Sequence, residues 1–499
     1  MKRRTFLRST AAAAALSSLN HRPSLAGSFS PAAQRARDVE AVTGDGRRVT
    51  LTTASIDELA ARLRGRVLLA DTEGYDDARR IRNASFDKRP ALIAQVTGVA
   101  DVRTAVDFAR DNGGLLLAVK CGGHSVSGQS TCDMGIMIDL SPFRDVRVDP
   151  VARTARVTGG SLLGALDHEA MAYDLVTTMG TVSHTGVGGL VTGGGFGRLG
   201  RRFGLAIDNL LSVDVITADG RFHRASADEN ADLFWGVRGG GGNFGIVTSF
   251  EFRLHPMQRQ VFAGHIMFPI ARLRDVLSVY AEYGPVAPDE LQLDMGIMNP
   301  PPGQPGRTGF LLCWSGDPAG LDRALAPVRR LGTPVSDTVA PMDYVALQRS
   351  GDTDDPRATG SYTKSGFISE VSPALISAIV DNFGGRPAQM FFQHCGGAIN
   401  RVAPSATALS QRDALANMLS MVGWPAGSDP SAPIAWIRDY WTNLERFTHG
   451  FYVNDLEPDM TAATIRDNYR QNHDRLVQVK NRYDPENLFR LNANIRPTA

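Results

Sequence analysis

An α+β fold in two lobes is what the sequence predicts, on three observations. A chain of 499 residues is longer than one hydrophobic core sustains, because cores stop growing at roughly 250–300 residues. The stretch from 91 to 120 reads as strand, helix, strand and is followed by hairpins rather than more helices. Between 257 and 448, strand-like runs alternate with helices in a separate block. Hydrophobic content of 43% with 21% charged residues is that of a globular chain, not a disordered one. Lys plus Arg (53) nearly cancels Asp plus Glu (52), and no basic stripe with interleaved aromatics occurs, so nucleic acid is excluded as the expected partner.

Residues 1–26 carry paired Arg3 and Arg4, a short apolar run and a small-residue SLAG site, the pattern of a twin-arginine export signal cleaved near Ala26. The expected destination is the periplasm or the medium. The apolar run is far shorter than the roughly 20 residues that span a bilayer, so stable membrane anchoring is not expected. A linker and the start of the first domain occupy 27–74. Next come a strand at 91–96, a helix at 99–112 stopped by Gly113 and Gly114, and a buried strand at 115–120. Strands follow at 135–141 and in a hairpin over 145–160, then a helix from Ser161 to Asp174. The glycine-dense stretch 178–209 reads as extended loop. A hairpin at 213–226 turning at Asp219-Gly220, a short helix at 231–239 and a strand at 244–256 bring the first domain, 75–256, to its end at Pro256. The second domain, 257–448, has expected strands at VFAGHIMF, ELQLDMGI, TGFLLCW, AQMFFQH and PIAWIRDYW and helices near 271–283, 317–331, 372–382 and 408–421. One long amphipathic helix is expected over 461–482 in the closing segment, 449–499.

GFGRLG at 195–200 satisfies the GxGxxG dinucleotide pattern, but no strand-length apolar run precedes it, Gly204 interrupts the stretch RRFGLAIDN after it, and no acid sits at the next strand's end. A different pattern is more informative. Three glycine clusters, at 122–128, 186–197 and 238–245, surround one ligand in this reading, because backbone N–H groups without side-chain bulk form anion-binding concavities that hold a pyrophosphate without lysines. The four cysteines, Cys121, Cys132, Cys313 and Cys395, show no metal spacing, and no metal site is argued; pairing of Cys121 with Cys132 and free thiols both stay open.

AVKCGGHSVSGQS, VSHTGVGGLVTGGGFGRLGRRFGLAIDN and DLFWGVRGGGGNFGIVTSFEF closely resemble the FAD-binding domain of the p-cresol methylhydroxylase and vanillyl-alcohol oxidase type. FYVND and NHDRLVQVKNRYDPENLFRLNANI resemble the C-terminal signature of berberine-bridge-enzyme-like oxidases. The resemblance implies a two-lobe α+β fold: an FAD-binding domain, a substrate domain, and a C-terminal segment that returns to the FAD domain and completes the flavin site. It implies that His124 bonds covalently to the flavin 8α-methyl group. Expected cofactor contacts come from Cys121, Gly122, Gly123, Ser125, Gly128 and Gln129 in the first cluster, and from Gly180, Thr181, Val182, Ser183, Gly186, Gly188 and Gly189 in the second. Gly193, Gly194, Gly195, Gly197, Asn209, Asn243, Gly245, Ile246, Val247, Tyr452 and Asn454 complete the expected set. Many members add a second bond through a cysteine where this chain has Val182, so a single bond is expected. His184 either faces the flavin or sits in a solvated loop.

Tyr452 is the expected catalytic base, a phenol of lowered pKa. Gln393, Trp436 and Arg438 are candidate substrate contacts, and no acidic base is identifiable in the second domain. The activity implied is an oxidase: FAD takes a hydride at N5 from a sugar, alcohol or amine, and molecular oxygen leaves as hydrogen peroxide. A dehydrogenase using a quinone or protein acceptor is the alternative, and a flavin-containing binding protein without turnover is the third reading.

Overall fold

The structure, a computed structural model, describes residues 37–300, 303–353, 357–383, 388–458 and 460–498; the expected leader at 1–26 lies outside the described residues. The first strand–helix–strand unit forms where expected, with Leu92–Gln95 and Leu117–Lys120 on either side of helix Val99–Asp111. The two strands are not neighbours. Ile136–Asp139 lies between them, parallel to both, and Arg66–Leu68 closes the sheet antiparallel. Leu92, Ile93, Ala94, Ile136 and Ile138 are all fully buried, the covered-on-both-faces pattern of parallel strands. The helix lays Val102, Ala105, Val106 and Ala109 against them at helical spacing.

A five-stranded antiparallel sheet comes next, in the order Phe222–Ser226, Leu210–Ile216, Ile246–Arg253, Thr154–Thr158, Val146–Asp149, and includes both expected hairpins. The glycine-dense stretch is not a continuous extended loop. Short helices form at Val187–Gly193 and Gly200–Phe203, with a 3-10 turn at Ala206–Asn209. The Rossmann pattern fails in space as it does in sequence, since a helix and not a strand leads into Gly195.

Residues 260–425 contribute an eight-stranded antiparallel sheet, and here two sequence expectations are overturned. PIAWIRDYW is not a strand but part of helix Ser431–Thr442, burying Ile437, Tyr440 and Trp441 at i, i+3 and i+4. The aromatic and β-branched composition suggested a strand, but the spacing of its apolar residues is helical. Conversely, the helix expected near 408–421 is absent, and Ala416–Pro425 is a strand paired on both edges, with Thr359–Ile368 and Ala388–His394. Its Ala, Met and Leu favour helices, but ladder pairing outweighs a propensity of a few tenths of a kcal/mol per residue.

The closing segment also departs from expectation. Two helices, Ala462–Tyr469 and His473–Tyr483, replace one, with the break at Arg470, where φ is +47°. Their buried faces, with Phe451, Ala493 and Ile495, join the core formed by Val157, Leu163, Phe250 and Phe252 of the first half of the chain. Among the described residues no helix is long and apolar enough to cross a membrane.

Candidate functional site

The glycine clusters and the C-terminal segment enclose a cavity of about 390 Å³. The loop leaving Leu117–Lys120 supplies Cys121, Gly122, Gly123, His124, Ser125 and Gln129. Gly180, Thr181, Val182, Gly186, Gly188 and Gly189 come from the second cluster, and Gly245, Ile246 and Val247 from the third. Tyr452 and Asn454 close it from the C-terminal side. Absent side chains create this space. A Cβ on Gly122 would stand 2.3 Å from Gly186 N, so the two loops meet backbone to backbone. At Gly189 a Cβ would meet nothing within 4 Å, so any side chain there would enter the cavity.

Other residues expected to touch cofactor do not line the cavity but build its support. The Ser183 hydroxyl donates to Asp352 Oδ2 at 2.6 Å. Gly128 packs its α-carbon over Phe86, and Gly197 sits on the Met179 carbonyl. Gly193 leaves room for Asn454, whose Oδ1 would lie 2.2 Å from a Cβ, while Gly194 lies against Leu409 and Tyr452. Gly195 N–H donates to Tyr452 Oη at 3.0 Å. Asn209 binds the carbonyls of Phe203 and Leu205, and Asn243 those of Gly240 and Ala493. Sequence separates none of these from true lining residues, because both need small or amide side chains in the same loops.

His124 is half-buried beside two partners: Nε2 lies 2.6 Å from His184 Nδ1, and Nδ1 lies 3.2 Å from Thr185 Oγ1. Burial, followed by the nearby charges of Arg82 and His184, pulls its pKa down to about 3 and keeps the imidazole neutral. His184 lies behind it, 3.9 Å from Asp352, and does not line the cavity. The phenol of Tyr452 runs against its expected role. Burial pushes it up to about 12, although the Gly195 N–H and Asn454 Nδ2, at 2.7 Å, both donate to its oxygen. Such a phenol stays protonated and is not a base of lowered pKa.

Of the substrate candidates, only Gln393 reaches the cavity. Trp436 stacks on Tyr440 with centroids 5.3 Å apart, and Arg438 Nε donates to Tyr362 Oη at 3.2 Å, both away from it. Two charged lining residues escape a reading of the sequence, Arg82 and Asp455. Arg82 is hidden in an arginine-rich run that reads as solvated surface. Asp455 stands next to the Tyr452–Asn454 motif, and that adjacency is the one signal that points to it. All four cysteines are free and buried, and Cys121 packs its Sγ 3.5 Å from the Ser161 carbonyl.

The cavity suits FAD. Ser130 Oγ and Asn492 Oδ1 are buried in its wall with no hydrogen-bond partner, as polar groups awaiting a ligand would be. The first turn of helix Val187–Gly193 borders it, favouring an anion there. Two family profiles match the chain, one described as FAD binding domain over residues 90–226 and one as berberine and berberine like over 451–496. The chain is 32% identical to the (R)-6-hydroxynicotine oxidase of Paenarthrobacter nicotinovorans, covering 87% of this chain and 97% of the relative. Its fold superposes on crystalline 6-hydroxy-D-nicotine oxidase from Arthrobacter nicotinovorans with a TM-score of 0.80 at 29% identity, over 87% of this chain and 98% of that one. The xylooligosaccharide oxidase of Myceliophthora thermophila in complex with xylobiose gives 0.79 at 25% identity, over 89% and 100%. Fold, glycine-walled cavity and relatives agree: the chain belongs to the berberine-bridge-enzyme-like family of FAD-linked oxidoreductases.

Proposed function

We propose that this chain is an exported oxidase that holds FAD by one covalent bond, through His124, and oxidises a small organic molecule. The observation that carries the proposal is the half-buried imidazole of His124, held between His184 and Thr185 on the wall of a cavity that the glycine loops open. When bound, FAD supplies a hydride acceptor at N5 and returns the electrons to oxygen, giving hydrogen peroxide. A neutral imidazole has the free lone pair that a nucleophile needs, and His184 and Thr185 fix the ring's orientation. Val182 stands where a second bond would need a cysteine, and among the described residues the cavity is lined by no cysteine but Cys121, whose thiol burial pushes up to about 11. Tyr452, anchored by Asn454 and the Gly195 N–H, holds a protonated hydroxyl at the cavity wall as a hydrogen-bonding and positioning group. Relatives that act on a nicotine derivative and on xylooligosaccharide support a small-molecule substrate.

Intact mass of acid-denatured protein tests the attachment. Wild type is expected to carry the added mass of one FAD and His124→Ala to lack it; yellow colour released by acid from unmodified wild type would overturn the covalent bond. Peroxide formed in step with substrate consumption separates the oxidase from a dehydrogenase, which would reduce only an artificial dye.

A further inference from the structure

Asp455 carries a negative charge into the cavity, and no cation among the described residues pairs with it. Its carboxylate has one side-chain partner there: Asn417 Nδ2 donates to Oδ2 at 2.9 Å. The same amide donates to Gln393 Oε1 at 2.8 Å. Asn417 thereby fixes two groups at once, leaving Asp455 Oδ1 as an acceptor and Gln393 Nε2 as a donor, and both residues line the cavity. The cationic lining residue, Arg82, acts on His124 and not on Asp455. Lys364, on the neighbouring strand Thr359–Ile368, is already engaged, since its Nζ lies 2.5 Å from Glu457 Oε2. Asp455 is half-buried and faces the cavity; enclosing a carboxylate without a countercharge is costly, and such groups persist where a ligand pairs with them.

Resting on the flavin-oxidase reading above, we infer that Asp455 is the specificity-determining residue of the substrate site and selects a protonated amine, whose N–H donates to Asp455 Oδ1, over a neutral alcohol or sugar. Gln393 adds a donor suited to an oxygen or ring nitrogen beside that amine. Burial raises the Asp455 carboxyl to about 6, the direction an uncompensated carboxylate takes. The titratable groups on elements packed about it are Tyr452, held near 12, His394, which burial keeps neutral, and the paired Lys364 and Glu457. The charge that changes between weakly acidic and neutral pH is therefore that of Asp455.

Calorimetric titration of the purified flavoprotein with N-methylbenzylammonium and with its neutral analogue benzyl methyl ether tests this. At about pH 7.5 the ammonium ion, which stays protonated throughout, should bind at least about tenfold more tightly, and the preference should shrink several-fold toward about pH 5 as Asp455 takes up a proton. Asp455→Asn should abolish the preference with flavin content unchanged. Equal binding of the two ligands by wild type, or a preference that survives in Asp455→Asn or is insensitive to pH, overturns the inference. Should Asp455→Asn not fold, the wild-type pH series decides alone. A colourless protein overturns the flavin reading instead, and the heats of binding still report the preference.

Discussion

At the scale of single residues, buried carboxylates separate groups that serve the cavity from groups that shape its wall. Asp167 is buried, and burial lifts it to about 7 although Gln348 Nε2 donates to it at 3.3 Å. Gln348 in turn donates to the Gly180 carbonyl at 2.8 Å, so this acid supports a lining residue from behind. Because its folded pKa lies above the unfolded value, the folded state binds the proton more strongly, and stability falls as pH rises from about 4 through about 7. Asp167→Asn keeps the acceptor and removes the charge. It should gain on the order of 2 kcal/mol over wild type at about pH 8 and nothing at about pH 4. Thermal melts across that range check it, and a gain independent of pH would contradict a charge origin. Sequence gives no sign of Asp167 and only adjacency to a motif for Asp455, since an aspartate's surroundings depend on what distant segments pack over it. His124 is legible because its neighbours Gly122 and Gly123 mark the loop.

Among the elements, sequence patterning succeeds where one face is buried by local partners and fails where distant strands decide. Helix Val99–Asp111 and the hairpin turning at Asp219-Gly220 carry their own period and turn residues. Ala416–Pro425 becomes a strand only because Thr359–Ile368 and Ala388–His394 flank it, the first across an intervening helix and the second across a long loop. The break at Arg470 is equally silent, as no Gly or Pro marks it. The second of the two helices is fastened by a buried pair, Lys480 Nζ to Asp484 Oδ2 at 2.6 Å, with the lysine also donating to the carbonyls of Asn243 and Phe489. Asp484 in return accepts from the N–H groups of Leu488 and Phe489. Burial lowers the Lys480 pKa and raises that of Asp484, so each ion depends on the other. Lys480→Met strands the carboxylate and should cost roughly 3–5 kcal/mol. Urea denaturation measures it; a loss under about 1 kcal/mol would show that water reaches the pair.

Over the whole molecule, the cavity is a meeting point for residues far apart along the chain, from Arg82 through the glycine clusters and Gln393 to Asn492 and Ala493. A ligand held there ties these segments together and so favours the folded state over the unfolded one. Flavin-loaded wild type should therefore melt at least about 5 °C above His124→Ala freed of flavin. Differential scanning calorimetry decides this, and coincident melting points would mean that the cavity is already rigid without its ligand. The position of Asn492 and Ala493 in the wall has a consequence for biosynthesis. A nascent chain has every glycine loop and His124 outside the ribosome before it has those two residues, so the wall is completed only after all three glycine clusters have been made. A cofactor that fills the cavity is therefore enclosed only once the C-terminal segment has docked against the glycine loops.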